Sequence, residues 1–324
     1  MKNYSLHDTF LIRTPSLPFD GDLKSVLSLS NKDEQICKLQ EVFKKIFLQE
    51  AIYLASPILY KQLLKWLEGK KLTNSEVENL YLSLLRYLTR MSTRCTPFGL
   101  FAGCTVGKWA DENLILLKTL SHHQRYTRLD MNYVGNLVQN LAILEDVQES
   151  IKFYPNNSLY KFGDKLRYIS YKYIKDKRVH EIAEIENNIY IDAILNATLN
   201  GCTIEDLVKV IFNIDDTINS EECRVFVKEL ITENILVSEL DLCVSGKENL
   251  FRIIEILDSI EKKDEQTFYI NDILHKVKNT LGKINSSKAK NYFPFYYDIQ
   301  KHLDRKSTRL NSSHVVTSRM PSSA

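Results

Sequence analysis

Apolar residues recur at helical spacing through most of the first hundred positions. Leu39, Val42, Phe43, Ile46 and Phe47 form one stripe, and Leu59, Leu63, Leu64 and Leu67 form another after Pro57. Ahead of them, Thr9 to Arg13 reads as a short strand ended by Pro15 and Pro18. The strongest helical pattern starts near Thr73, where Thr73 with Glu76, and Ser75 with Glu78, have capping-box spacing. Val77, Leu80, Leu84, Tyr87, Leu88 and Met91 supply its apolar face. Pro97 ends it, because a residue preceding proline is pushed out of the helical region. The glycine-rich run Gly99 to Gly107 predicts a buried strand with close neighbours. Asn113–Leu117 and Tyr126–Leu129 are shorter apolar runs of strand type. Asp130 then stands at an N-cap position ahead of Tyr133, Leu137, Leu141 and Leu144.

From Ser158 the period changes. Ser158–Phe162, Leu166–Tyr173 and Val179–Glu186 read as strands. Ile189–Asn200, with Gly201 as its C′ residue, Ile204–Phe212 and Ser220–Asn234 read as helices. Three strands and three helices in this span match the size of a winged-helix module. Ile235–Leu240 returns to strand, Lys247–Ile260 and Phe268–Leu281 are amphipathic helices, and the aromatic segment Asn291–Ile299 reads as a strand. The predicted fold class is α+β: mixed helices and short sheets around an embedded winged-helix-like element.

Composition narrows the class. The 324 residues are 44% hydrophobic and 26% charged, which excludes collagen, low-complexity disorder and a disulfide-stapled miniprotein. The longest uncharged run, Met131–Leu144, is too short to span a bilayer, and Met1–Pro15 has no secretory h-region. Six scattered cysteines without a Cys-x-x-Cys pair predict buried free thiols in a reducing cytoplasm. The charge of +2 argues against nucleic-acid binding by the whole chain while leaving room for a local basic site. Residues 305–324 carry three Arg, one Lys, six Ser and no acid. They read as a non-native or disordered tail, similar to translated cloning sequence. Without them the chain has 39 Lys and Arg against 41 Asp and Glu, a net −2.

No phosphate loop, His-Glu-x-x-His, Gly-x-Ser-x-Gly or dinucleotide fingerprint is present. His122 and His123 lack an acidic cluster, and no metal site is predicted. One constellation stands out. Arg86, Arg90 and Arg94, spaced i, i+4, i+8, form one stripe if helical, and none of their i±3 or i±4 neighbours is acidic. Arginine suits bidentate binding of phosphate or carboxylate. Two readings stay open on the residues alone: an anion site with Thr93 and Thr96 as added donors, or a solvated basic face.

The run Arg90-Met-Ser-Thr-Arg94-Cys-Thr96-Pro97-Phe98-Gly99-Leu-Phe-Ala-Gly103 resembles the hallmark of the class I lantibiotic dehydratases. Other blocks follow in the same order. They are Phe10-Leu-Ile-Arg13-Thr-Pro15, Glu50-Ala-Ile-Tyr-Leu-Ala-Ser-Pro57, Leu59-Tyr60, Arg128-Leu-Asp130-Met131, Asn157-Ser-Leu-Tyr160 and Leu236-Val-Ser-Glu239-Leu. The resemblance covers about residues 8 to 300 and reaches only the N-terminal part of the family's glutamylation domain, because family members are much longer.

That resemblance implies a function. Family members use glutamyl-tRNA to esterify Ser and Thr of a ribosomal precursor peptide. A separate domain then eliminates glutamate to leave dehydroamino acids. Arg90, Arg94 and Thr96 match the family's glutamylation-critical positions, and Arg13 matches another basic position. The resemblance implies Arg13 and Arg86 as tRNA-binding residues, and Arg90, Arg94 and Thr96 as residues acting in catalysis. Asp130 matches the Arg-x-Asp block, with helix N-cap as its alternative role, and Asp298 is matched to a later functional aspartate. The winged-helix-like segment resembles the precursor-recognition element, where the leader adds as a strand beside the third strand and packs on the third helix. Ile182, Ile185, Val227 and Ile231 are the candidate groove residues, with plain core as their alternative. A DNA-binding winged helix fits less well, since Glu221, Glu222, Glu229 and Glu233 offset Arg224 and Lys228.

The expected organisation is 1–157, the first part of a tRNA-dependent glutamylation domain; 158–240, leader recognition; 241–304, a truncated continuation; and 305–324, the tail. Glutamyl-tRNA is expected as co-substrate, with no other cofactor and no metal. The expected partners are the precursor leader, glutamyl-tRNA, a lanthionine cyclase and a peptide exporter, with homodimerisation of the full-length form. The expected location is cytoplasmic, with membrane association through a biosynthetic complex. Two alternatives remain: a peptide–aminoacyl-tRNA ligase-like enzyme, and a leader-binding module without catalysis. The chain alone is expected not to dehydrate a precursor.

Overall fold

The structure, a computed structural model, describes residues 4–111, 114–116, 122–174, 177–286, 289, 291–303 and 322–323. The chain begins with β1 (Thr9–Pro15), α1 (Asp22–Leu27), α2 (Lys32–Val42), α3 (Ile46–Ala55), α4 (Pro57–Leu67), α5 (Asn74–Thr93) and β2 (Ala102–Lys108). Next come α6 (Met131–Ala142), α7 (Glu145–Ser150), β3 (Phe153–Pro155), β4 (Tyr160–Phe162), β5 (Lys165–Ile174) and β6 (Lys177–Glu186). Then follow α8 (Ile189–Ala197) with a 3-10 turn, α9 (Ile204–Phe212), α10 (Ser220–Thr232) and β7 (Leu236–Ser238). The last elements are α11 (Asn249–Ser259), α12 (Glu265–Ser286), α13 (Phe293–Leu303) and the two-residue β8 (Ser322–Ser323). The chain divides into two compact units, Met1–Tyr133 with Lys276–Ala324, and Val134–His275. Among the described residues, no helix is long and apolar enough to cross a membrane.

In the first unit, β1 and β2 pair antiparallel from Thr9–Lys108 to Pro15–Ala102, and β8 runs parallel beside Gly103 and Cys104. The Phe10 ring lies over Gly107, where a Cβ would come within 2.5 Å of it, so the glycine is a packing requirement. Leu39, Phe43, Leu48, Ile52, Leu63, Leu84 and Leu88 form the sealed centre of the helical layer. The continuous stripe from Leu39 to Phe47 is two helices, not one. Gln49 donates its side-chain amide to the carbonyls of Phe43 (3.0 Å) and Lys44 (3.3 Å), satisfying the broken end of α2.

Other expectations change as well. Asn291–Ile299 is not a strand but the start of α13. Phe293, Tyr296, Ile299 and Leu303 are buried at helical spacing, and this packing overrides the strand preference of aromatic residues. Tyr126–Leu129 belongs to no strand, while Asn113 and Leu117 lie outside the described residues. Residues 305–321 of the tail also lie outside them. Of the six thiols only Cys223 is buried; Cys37, Cys95 and Cys243 are exposed, because they fall off the apolar stripes. Of the two capping boxes Thr73–Glu76 forms, and Glu78 pairs with Lys32 at 2.5 Å instead.

In the second unit, β4, β5 and β6 form an antiparallel sheet with β6 at one edge, and β3 pairs with β7. Asn156 and Asn234 fasten this sheet to the end of α10. Asn156 Nδ2 donates to the carbonyls of Ile169 and Asn234, and Tyr171 N donates to Asn234 Oδ1 at 2.8 Å. Leu207, Ile211, Val227 and Ile194 form the core between α8, α9 and α10. This is the expected three-helix, three-strand module.

Candidate functional site

Helix α5 is built from its cap and its stripe. Thr73 and Glu76 close the capping box, and Leu80, Leu84, Leu88 and Met91 are buried. Its outer face carries Arg86, exposed, and Arg90, half-buried. The three-arginine stripe does not survive intact. The helix ends at Thr93, and Arg94 is an extended C-cap (φ −110°, ψ 125°) whose N–H still donates to the Arg90 carbonyl at 3.1 Å. Arg94 and Thr96 are therefore exposed on the segment leaving the helix.

That segment is shaped by a turn. Phe101 N donates to the Phe98 carbonyl at 3.0 Å, and Gly99 adopts φ +52°, a left-handed conformation that favours glycine. The turn folds Phe98 back beneath Arg90, whose guanidinium carbon lies 4.8 Å from the ring centroid. Phe98 rests on Phe101, and Phe101 on Tyr87, with centroids 5.4 and 5.3 Å apart. The buried Arg90 Nε has no hydrogen-bond partner among the described residues.

Two backbone bonds bring β1 to this helix end. Leu17 N donates to the Met91 carbonyl at 3.0 Å, and Ser16 N to the Phe101 carbonyl at 3.1 Å. Arg13 stands on the exposed face of the sheet, opposite Cys104. Among the described residues, the arginines in ion pairs are Arg125, Arg167 and Arg224; Arg13, Arg86, Arg90 and Arg94 are in none. These four arginines are thus without an ion-paired carboxylate among the described residues, a state suited to binding an anion.

The candidate acids sit in the same unit. Asp130 caps α6 through a bond from Asn132 N (2.8 Å), as its sequence position implies. Asp298, on α13, accepts from Thr280 Oγ1 at 2.9 Å and lies 3.5 Å from His302 Nε2. Behind them is a cluster that the sequence reading missed. Glu50, 1% exposed, receives Arg125 in a bidentate pair (Nη1 to Oε1, and Nη2 to Oε2 at 2.9 Å). Tyr296 Oη donates to the same carboxylate at 2.7 Å, and Arg125 lies 3.8 Å over the Tyr292 ring. Burial works against the Arg125 charge, but Glu50 outweighs it and raises its pKa. Burial, then Glu50, pushes the Tyr296 phenol far above its usual range, so it remains a neutral donor. Nearby Tyr60 stacks on Phe293, which Tyr53 meets edge-on, and burial lifts the Tyr60 phenol to about 12. The available signal was Glu50 itself, one acid in the apolar run Ile46–Ala55.

The peptide-groove candidates are all in the second unit, and the structure disperses them. Ile182 is 77% exposed on edge strand β6, opposite Ile169. Ile185 pairs with Leu166 on the other face, because three residues along a strand reverse the side chain's direction. Val227 is fully buried core, and Ile231 is half-buried. The open groove on α10, about 340 Å³, is lined instead by Asn219, Glu221, Glu222, Val225, Phe226 and Glu229. Phe226 is one residue from the predicted contact Val227, a step of about 100° around the helix that the sequence pattern could not place.

Comparison with known proteins agrees with this fold. Residues 45–320 match the family model described as the N terminus of lantibiotic dehydratase. The epidermin biosynthesis protein EpiB of Staphylococcus epidermidis is 27% identical over 275 residues, 85% of this chain and 27% of the relative. The nisin biosynthesis protein NisB of Lactococcus lactis subsp. lactis is 27% identical over 263 residues, 81% of this chain and 25% of the relative. The chain therefore spans about a quarter of the length of these relatives. Among solved structures, the tRNA-dependent lantibiotic dehydratase MibB from Microbispora sp. 107891 superposes with a TM-score of 0.70 at 18% identity, over 98% of this chain and 29% of that one. The glutamylation domain of TbtB, from thiomuracin biosynthesis, gives 0.58 at 13% identity, over 90% and 34%. With most of its length matched by the family model, and the Arg90–Gly103 motif built as a turn at the end of α5, the chain belongs to the lantibiotic dehydratase N-terminal family.

Proposed function

We propose that this chain supplies the tRNA-facing part of a glutamyl transferase acting on Ser and Thr of a precursor peptide. The observation that carries the reading is the un-ion-paired arginine set at one helix end, Arg90 and Arg94 beside Thr96, with Arg13 on the adjoining strand. A glutamyl-tRNA acceptor end brings phosphates and a free carboxylate, both of which bidentate arginines bind well. In the transfer, the peptide hydroxyl oxygen attacks the ester carbonyl of glutamyl-tRNA. The bond to the ribose oxygen breaks, and a new ester joins glutamate to the peptide. The hydroxyl proton passes to the departing ribose oxygen, with Asp130 or Asp298 as relay. Arg90, Arg94 and Thr96 steady the charge that builds on the carbonyl oxygen. Glutamyl-tRNA is the co-substrate, and the roles need no metal. The second unit captures the leader, which adds beside the edge of β6 with apolar side chains toward the α10 groove.

The test is transfer of labelled glutamate from glutamyl-tRNA to a precursor peptide by the complete protein that carries this chain. We expect alkali-labile label on the peptide, or its release as glutamate accompanied by a dehydrated peptide, and neither from free glutamate with ATP. Alkali-stable, amide-linked label would instead favour a peptide–aminoacyl-tRNA ligase. Leader binding with no transfer would leave a binding module.

A further inference from the structure

The Glu50–Arg125–Tyr296 cluster joins three distant segments, α3, the stretch before α6, and α13. A second set of bonds closes the circuit. Thr127 N donates to Asn285 Oδ1 at 2.6 Å, and Asn285 Nδ2 donates back to the Thr127 carbonyl at 3.3 Å. On the same helix, Thr280 Oγ1 donates to Asp298 Oδ2 at 2.9 Å. The path runs from Asp298 through α12 to Thr127, on to Arg125 and Glu50, and back through Tyr296 to α13. Asp130 is three residues beyond Thr127, and Asp298 two beyond Tyr296.

A buried ion pair is an expensive way to fasten segments that aromatic packing already covers, because two charges must be stripped of water. What it adds is direction. A bidentate pair fixes orientation as well as distance, and Tyr296 fills a further acceptor site on the same carboxylate. Apolar contacts between Tyr53, Tyr60 and Phe293 tolerate small sliding; the Glu50 hydrogen bonds do not. The path includes Asp298 and passes three residues from Asp130, yet Glu50 and Tyr296 are too deeply buried to meet a substrate.

We propose that Glu50, Arg125 and Tyr296 are positioning residues that set the placement of Asp298 for glutamyl transfer. This rests on the function proposed above. Removing Glu50 would strand Arg125 and risks unfolding, so the informative variant is Tyr296→Phe, which deletes one hydroxyl and keeps the ring. In the complete protein, Tyr296→Phe is expected to lower the transfer rate between about tenfold and a hundredfold, as misplaced catalytic groups do, with leader affinity unchanged. In the Asp298→Asn background the same change should cost almost nothing, because its effect passes through Asp298. Full transfer by Tyr296→Phe overturns the inference, and so does an effect that multiplies independently on Asp298→Asn. Undiminished transfer by Asp298→Asn itself overturns the assignment of that acid, and the inference with it.

Discussion

Arg90 and Arg94 leave the same helix end into different surroundings. Arg90 is half-buried with its guanidinium over Phe98, so its direction is fixed before any ligand arrives. Arg94 is exposed on extended backbone and free to follow a phosphate or carboxylate. Preorganisation of the first saves ordering entropy at binding; reach in the second permits adjustment to the substrate. Glycines carry comparable constraints elsewhere. Gly201 has φ +81°, and an added Cβ would lie 2.6 Å from the Tyr154 ring. Gly201→Ala is therefore expected to lose more than about 1 kcal/mol of stability in denaturant unfolding. An unchanged midpoint would contradict that conformation.

At the scale of elements, α9 offers a clean test of local chemistry. Thr203 and Asp206 form a capping box, with Asp206 accepting from the Thr203 hydroxyl (2.7 Å) and backbone N–H (3.2 Å). Thr203→Ala is expected to cost about 1 kcal/mol, measured by chemical denaturation. The Thr203 bonds hold the Asp206 carboxyl below its ordinary range. A depressed folded pKa contributes stability above the unfolded value and loses it as pH falls through the folded one. The contribution should fade below about pH 4, and Asp206→Asn should flatten that part of the profile. Periodicity located α9 to within a residue, and the Thr73 cap located the start of α5 equally well. Where a tertiary force decided, local pattern failed: α13 looked like a strand because its aromatic side chains hide a helical burial pattern. The arginine stripe failed at its last member, because one-dimensional spacing cannot report where a helix stops. Glu50 and Arg125, 75 residues apart, are joined only in the folded chain. The motif containing Arg90, Arg94 and Thr96 was legible because its members are close in sequence, at and just beyond the end of α5.

At the scale of the molecule, the residues assigned to transfer and those assigned to peptide capture fall into different compact units. Arg13, Arg86, Arg90, Arg94, Thr96, Asp130 and Asp298 belong to the first, while β6 and the α10 groove belong to the second. This division predicts that transfer and leader recognition can be damaged separately. Glutamate transfer and leader affinity measured together on Arg94→Ala in the complete protein test that claim most directly. The account predicts that transfer of labelled glutamate from tRNA is abolished while the leader binds with nearly unchanged affinity. Persistent transfer, or a parallel loss of leader binding in a folded variant, would contradict it.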